Sequence, residues 1–128
     1  MRANNSTNVT EALLDSIGEA FNSNNIEEVM QYFAKDTVFD HAAGPDIHGK
    51  RFEGRSVVRD VFASLFDSVE KVHWETLCTC INGNKAYCEY RRTATLKSGE
   101  QQDFLSVDVL TFKDGLIVHK DTYYKNRG

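Results

Sequence analysis

Three glycine-containing turns, Asn82-Gly83, Ser98-Gly99 and Asp114-Gly115, recur at near-even spacing toward the end of the chain. Asn, Ser or Asp beside Gly supplies the backbone geometry that a two-residue hairpin loop requires. The turns therefore predict four consecutive antiparallel strands, with a register obtained by counting outward from each loop. Tyr87 then faces Cys78, Glu89 faces Thr76 and Arg91 faces Trp74. Across the second turn Glu89 faces Asp108 and Arg91 faces Ser106; across the third, Asp108 faces Asp121, Ser106 faces Tyr123 and Leu110 faces His119. Side chains alternate along strands, so Glu89, Asp108 and Asp121 are expected as one row of acids on one face. Arg91, Trp74, Tyr123 and His119 should flank that row. Like charges directly opposite one another destabilise a sheet, so the row implies a use. A slip of one residue would turn it to the other face.

Ahead of the strands lie helical patterns. Val9, Leu13, Ile17 and Phe21, widened by Leu14 and Ala20, predict an amphipathic helix over residues 8–22, with Asn8 and Glu11 as a capping box. Asn24 and Asn25 break it, and a second helix follows with Ile26, Val29, Met30 and Phe33 on its apolar face. Asp36 to His41 reads as a short strand, and Ala42 to Arg55 as a loop holding a short strand at Lys50–Glu53. Ser56 is placed as the cap of a third helix whose stripe is Val58, Val61, Phe62, Leu65, Phe66 and Val69. Helices segregated from strands indicate an α+β fold with helices on one face of an antiparallel sheet. Residues 1–128 are expected to form one domain, with residues 1–7 a flexible N-terminus. The last strands are apolar on both faces, which calls for a second subunit over the uncovered side and hence a homodimer.

A net charge of −4 argues against nucleic acid as partner. No apolar run reaches the roughly 20 residues that span a membrane. The first residues lack the apolar core of a secretory signal, so a cytoplasmic location is expected. Three cysteines form an odd set suited to a reducing compartment, with Cys78 and Cys80 on one strand face, Cys88 on the other, and all three expected as small core groups. No metal-ligand spacing is present, and neither a metal nor a cofactor is expected.

The order of elements, with F-A-K-D closing the second helix, V-F-D on the first strand, G-R-S-V-V-R opening the third helix and V-D-V-L-T-F-K-D-G-L-I in the last hairpin, resembles the NTF2-like superfamily. The closest likeness is to its SnoaL-like and ketosteroid-isomerase-like members, over roughly Val9 to Tyr124. The resemblance implies a cone in which a curved sheet wraps around helices and encloses an apolar pocket. It also implies roles. Asp40 matches the general base of the isomerases, Asp108 their oxyanion-hole acid (a protonated carboxyl that is a standard illustration of pKa tuning), and Asp121 the acid/base aspartate of SnoaL-type cyclases. The oxyanion-hole tyrosine of the isomerases has no counterpart, since Ile17 stands at that position. The Arg-x-Asp pair of limonene-epoxide-hydrolase-like enzymes is reversed here as Glu89-Tyr90-Arg91.

Acids gathered in an apolar enclosure divide into ionised and protonated forms, as proton transfer beside a carbonyl requires. Asp40, Asp108 and Asp121 are thus the candidate catalytic residues, and Trp74, Glu89, Arg91, His119 and Tyr123 the candidate substrate contacts. The expected ligand is a small hydrophobic carbonyl compound, undergoing isomerisation, cyclisation or dehydration. A non-catalytic binder, or an association module of the same fold, is the alternative.

Overall fold

The computed structural model describes residues 9–127; residues 1–7, expected to be flexible, and Asn8, expected to cap the first helix, lie outside them. Helix α1 (Glu11–Asn22) is capped by Thr10, whose side chain accepts from Leu13 N at 3.1 Å, and buries Leu14, Ile17 and Ala20. Helix α2 is short (Ile26–Met30), because Asn25 caps it and Phe33 already belongs to the next strand rather than to its apolar face. Strand β1 (Phe33–Asp46) and β2 (Gly49–Glu53) make a hairpin through most of the segment expected as loop. Helix α3 (Arg55–Ser68) starts directly after Gly54, which makes no side-chain cap, so Ser56 lies inside the helix. Strands β3 (Val69–Asn82), β4 (Lys85–Leu96), β5 (Gln101–Lys113) and β6 (Leu116–Tyr124) complete the chain.

The strands form one sheet in the order β2-β1-β6-β5-β4-β3, with β1 parallel to β6 and every other neighbour antiparallel. The four-strand meander stands as the turns predicted. Helices cover the inner face, where Phe33, Phe39, Val58, Phe62, Leu110, Phe112 and Ile117 are buried together. Among the described residues, edge strand β3 has no further strand beside it. Instead the amides of Asn22 and Asn24 mimic one, each donating to and accepting from the backbone of Trp74 and Val72 respectively, at 2.8–3.1 Å. The residues that end α1 thus blunt an edge open to mispairing and fix Trp74.

The register differs from the counted one at four places. The first turn is Gly83-Asn84, since Asn82 pairs with Lys85, so Tyr87 faces Cys80 and Glu89 faces Cys78. A bulge at Leu77 then reverses the faces, and Trp74 meets Arg92 while Arg91 meets Glu75. The second loop has three residues, closed by Leu96 N to Glu100 O at 2.8 Å, so Asp108 faces Cys88 and not Glu89. The third turn is as counted, but an irregularity between Thr111 and Phe112 sets Asp108 against Thr122 and Asp121 against Val109. Bulges of this kind accompany strong local twist. The row Glu89–Asp108–Asp121 does not form.

Cys78 and Cys80 do share a face, but it is the outer one and both are exposed; of the three thiols only Cys88 is core. Glycine is obligatory at the β1–β2 hairpin. Gly49 has φ of 84°, and a β-carbon there would sit 1.9 Å from the carbonyl oxygen of His41. Left-handed backbone alone costs an L-residue about 1–2 kcal/mol, so Gly49→Ala should lose at least about 2 kcal/mol by chemical denaturation. Wild-type stability in that variant would contradict the hairpin geometry.

Candidate functional site

The inner face of the sheet and α3 enclose a cavity of about 820 Å³. Its floor is built from alternate residues of neighbouring strands: Ser106 and Asp108 on β5, Lys120 and Thr122 on β6, and Arg92 on β4. Its walls carry the aromatic rings of Phe21, Phe39, Phe62, Trp74, Phe104 and Tyr124, and its rim is polar. A small inner recess of about 20 Å³ continues below, between Ile17, Gly18, Tyr90, Asp108 and Lys120.

A charged cluster lies where cavity and recess meet. Lys120 Nζ donates to Thr122 Oγ1 at 2.8 Å and to Asp108 Oδ1 at 3.3 Å, and Thr122 Oγ1 donates to the same Oδ1 at 2.6 Å. The ammonium lies over three rings, 4.9 Å from the centroid of Phe39 and 5.6 Å from those of Phe21 and Phe62. Both Asp108 and Lys120 are buried, at 7% and 8% exposure. Asp108 Oδ2 has no protein donor among the described residues and is free for a ligand. Tyr90, from β4, reaches the same recess, and burial pushes its phenol well above the usual tyrosine range, so it remains a hydrogen-bond donor.

Of the residues singled out in the sequence, Asp108 and Trp74 line this cavity. Asp40, His119, Asp121 and Tyr123 gather on the opposite face of the sheet, because β1 and β6 run parallel with Val38 beside His119 and Asp40 beside Asp121. There Asp40 is buried under a bidentate Arg51, at 2.8 and 2.9 Å, and takes Nε2 of His119 at 2.7 Å. Tyr123 donates to Asp121 at 3.1 Å. Glu89 is exposed on the same outer face, and Arg91 there forks onto Asp103 at 2.7 and 2.9 Å. Trp74 lies near Arg92 in place of Arg91, 5.8 Å from its guanidinium. Lys120, Thr122, Tyr90 and Arg92 were not anticipated.

The outer cluster has the logic of a structural ion pair. Asp40, His119 and Asp121 offer ligand-type atoms within 4.8 Å of one another, but Arg51 already holds both oxygens of Asp40. Asp108 lies on the other face of the sheet, away from Asp121 and His119. The Arg51 hydrogen bonds, against the opposing effect of burial and helped by His119, hold the Asp40 carboxyl below the usual range. A depressed folded value makes a contribution that is whole at neutral pH and lost as pH falls through that value. Arg51→Met should raise it, so acid unfolding followed by circular dichroism should begin at higher pH than in the wild type. An unchanged acid midpoint would show that this pair does not support the sheet.

The sequence profile of the SnoaL-like domain family matches residues 15–120. No curated protein matches the chain by sequence. Among solved structures, a Xanthomonas campestris pv. campestris protein assigned as a polyketide cyclase superposes with a TM-score of 0.78 at 20% identity, covering 89% of this chain and 88% of that one. A Catenulispora acidiphila protein with a ketosteroid-isomerase-like fold, solved with trimethylamine, gives 0.78 at 19% identity, covering 91% and 88%. A Jannaschia sp. CCS1 protein assigned as a SnoaL-like polyketide cyclase gives 0.73 at 12% identity, covering 92% and 90%. At these identities the superpositions establish the fold, an α+β roll of NTF2-like and ketosteroid-isomerase-like type, and not the reaction. With the profile spanning most of the sequence, the chain belongs to the SnoaL-like domain family.

Proposed function

We propose that the protein is a small-molecule enzyme that moves a proton beside a carbonyl of a hydrophobic ligand, the step shared by isomerisation, aldol-type cyclisation and dehydration. One observation carries this reading: the Asp108–Thr122–Lys120 cluster, buried at the base of an aromatic cavity. Replacing a buried ion pair with apolar side chains is often neutral or stabilising, so a pair kept at a cavity floor is better explained by use than by stability. In this reading Asp108 Oδ2 takes the proton. The Lys120 ammonium and the Tyr90 phenol face the oxygen on which negative charge develops. Thr122 fixes the orientation of both partners, and the aromatic walls exclude water.

The assignment of base therefore passes from Asp40 to Asp108, which the resemblance casts as an oxyanion-hole acid. The test is protein-dependent deuterium exchange at the α-carbons of a panel of hydrophobic ketones and lactones in D2O, followed by NMR. Exchange above buffer, at a rate set by cavity occupancy, is the expected result. Binding without exchange would favour the alternative, a non-catalytic ligand carrier.

The homodimer belongs to the same proposal. Tyr87, Leu105 and Tyr123 are exposed on the outer sheet face, with Val107 and Val109 half-buried beside them, and a second copy would cover them. Sedimentation equilibrium should give twice the chain mass, and a monomer at micromolar concentration would contradict this. A cytoplasmic setting fits three free thiols. Among the described residues no helix is long and apolar enough to cross a membrane.

A further inference from the structure

We propose that the cavity contains an anion subsite at Arg92, so that the ligand is a planar apolar molecule carrying a carboxylate or comparable acidic group. This rests on the cavity being the ligand site, as proposed above, and adds the chemical class of what enters it. Arg92 projects from β4 into the cavity, its guanidinium 5.1 Å from the ring of Phe104 and 5.8 Å from that of Trp74. Its Nη1 donates to Gln102 Oε1 at 2.9 Å. Among the described residues no carboxylate lies within ion-pair distance of it, whereas Arg51, Arg59 and Arg91 each hold one.

A guanidinium drawn from water toward aromatic walls carries a desolvation cost that two ring contacts and one neutral acceptor offset only in part. Burial accordingly weakens its hold on its proton. Around the cavity Lys120 is matched by Asp108. At the rim Glu100 and Asp103 stand with Lys125 and Arg127, but Asp103 is already held by Arg91, so the lining is net positive. Arg92 is the cation of that lining that stands between aromatic rings with no carboxylate on it. Its fork of N–H donors fits a carboxylate in two parallel bonds, and the flanking indole and phenyl rings suit a flat ligand body that reaches from Arg92 toward Lys120.

The experiment uses matched pairs: benzoate with benzamide, 2-naphthoate with 2-naphthamide, and anthracene-2-carboxylate with its amide. Binding to the whole protein at pH 7 and low salt is read by calorimetry and by quenching of Trp74, the single tryptophan of the chain. The acids should bind about tenfold or more tighter than their amides, the usual size of a hydrogen bond to a charged group. In Arg92→Gln the ratio should fall to near one while amide affinity stays, and Arg92→Lys should keep part of the preference. If amides bind the wild type as tightly as acids, the anion subsite is wrong and the cavity reading stands. If neither class binds, both fall together. A preference that persists in Arg92→Gln would overturn the assignment to Arg92. Should that variant fail to fold, the wild-type ratio together with Arg92→Lys decides the matter.

Discussion

Lys120→Met should cost about 3–5 kcal/mol of stability, the range for stripping one partner from a buried ion pair. Methionine is close to lysine in length and can occupy the space under Phe21, Phe39 and Phe62, so little of the loss would come from an unfilled cavity. The cost arises at Asp108, buried and left with Thr122 alone as donor to its Oδ1. A second substitution separates charge from packing. Asp108→Leu on the Lys120→Met background removes the stranded carboxylate and should restore most of the lost stability. The urea midpoints of the wild type, both single variants and the double variant form a cycle whose coupling energy measures the pair. Additive effects, with no recovery in the double variant, would show that Lys120 and Asp108 do not depend on each other.

Asp108→Asn should slow ketone α-exchange by about 10²–10⁴-fold, the usual contribution of a positioned base. The substitution is isosteric. Its side-chain oxygen can still accept from Lys120 and Thr122, so the cavity keeps its shape while the group that takes the proton is gone. Asp121→Asn, on the outer face, should leave exchange unchanged within a factor of two or so, since removing a remote carboxylate touches no reacting atom. Loss of exchange in Asp121→Asn with retention in Asp108→Asn would move the base to Asp121, the acid/base aspartate that the resemblance to SnoaL-type cyclases implies.

The contrast between those two aspartates marks where the sequence is legible. The glycine turns and the helical stripes declare their elements, because positive φ and apolar periodicity are local properties of the chain. The faces are another matter. One extra residue in the loop around Ser98-Gly99 and one irregularity near Phe112 each reverse the inward set, and neither leaves a residue-type signature. Asp108 and Trp74 keep the expected face, whereas Glu89, Arg91, His119, Asp121 and Tyr123 fall on the other. Asp40 follows β1 to the outside because its parallel pairing with Asp121 ties their faces together. Lys120 was hidden for a separate reason. Lysines are rarely buried, and only three aromatic rings from α1, β1 and α3, distant in sequence, make this one's environment. The sequence marks strands at Asp36–His41 and Lys50–Glu53, but the stretch between them reads as loop because its glycines and proline mark turns. Here Gly44 and Gly49 instead allow a close crossing of the two strands.

The claim that Asp108 and Lys120 face the ligand space, with Asp40 and Asp121 behind the sheet, is tested most directly by titrating 2-naphthamide into protein carrying ¹³C-labelled aspartate and ¹⁵N-labelled tryptophan and lysine. Saturable shifts at the Asp108 carboxyl carbon, the Lys120 Nζ and the Trp74 Nε1, with the Asp40 and Asp121 carboxyls unmoved, are the predicted result. Shifts at Asp40 and Asp121 that leave Asp108 and Lys120 unmoved would contradict it.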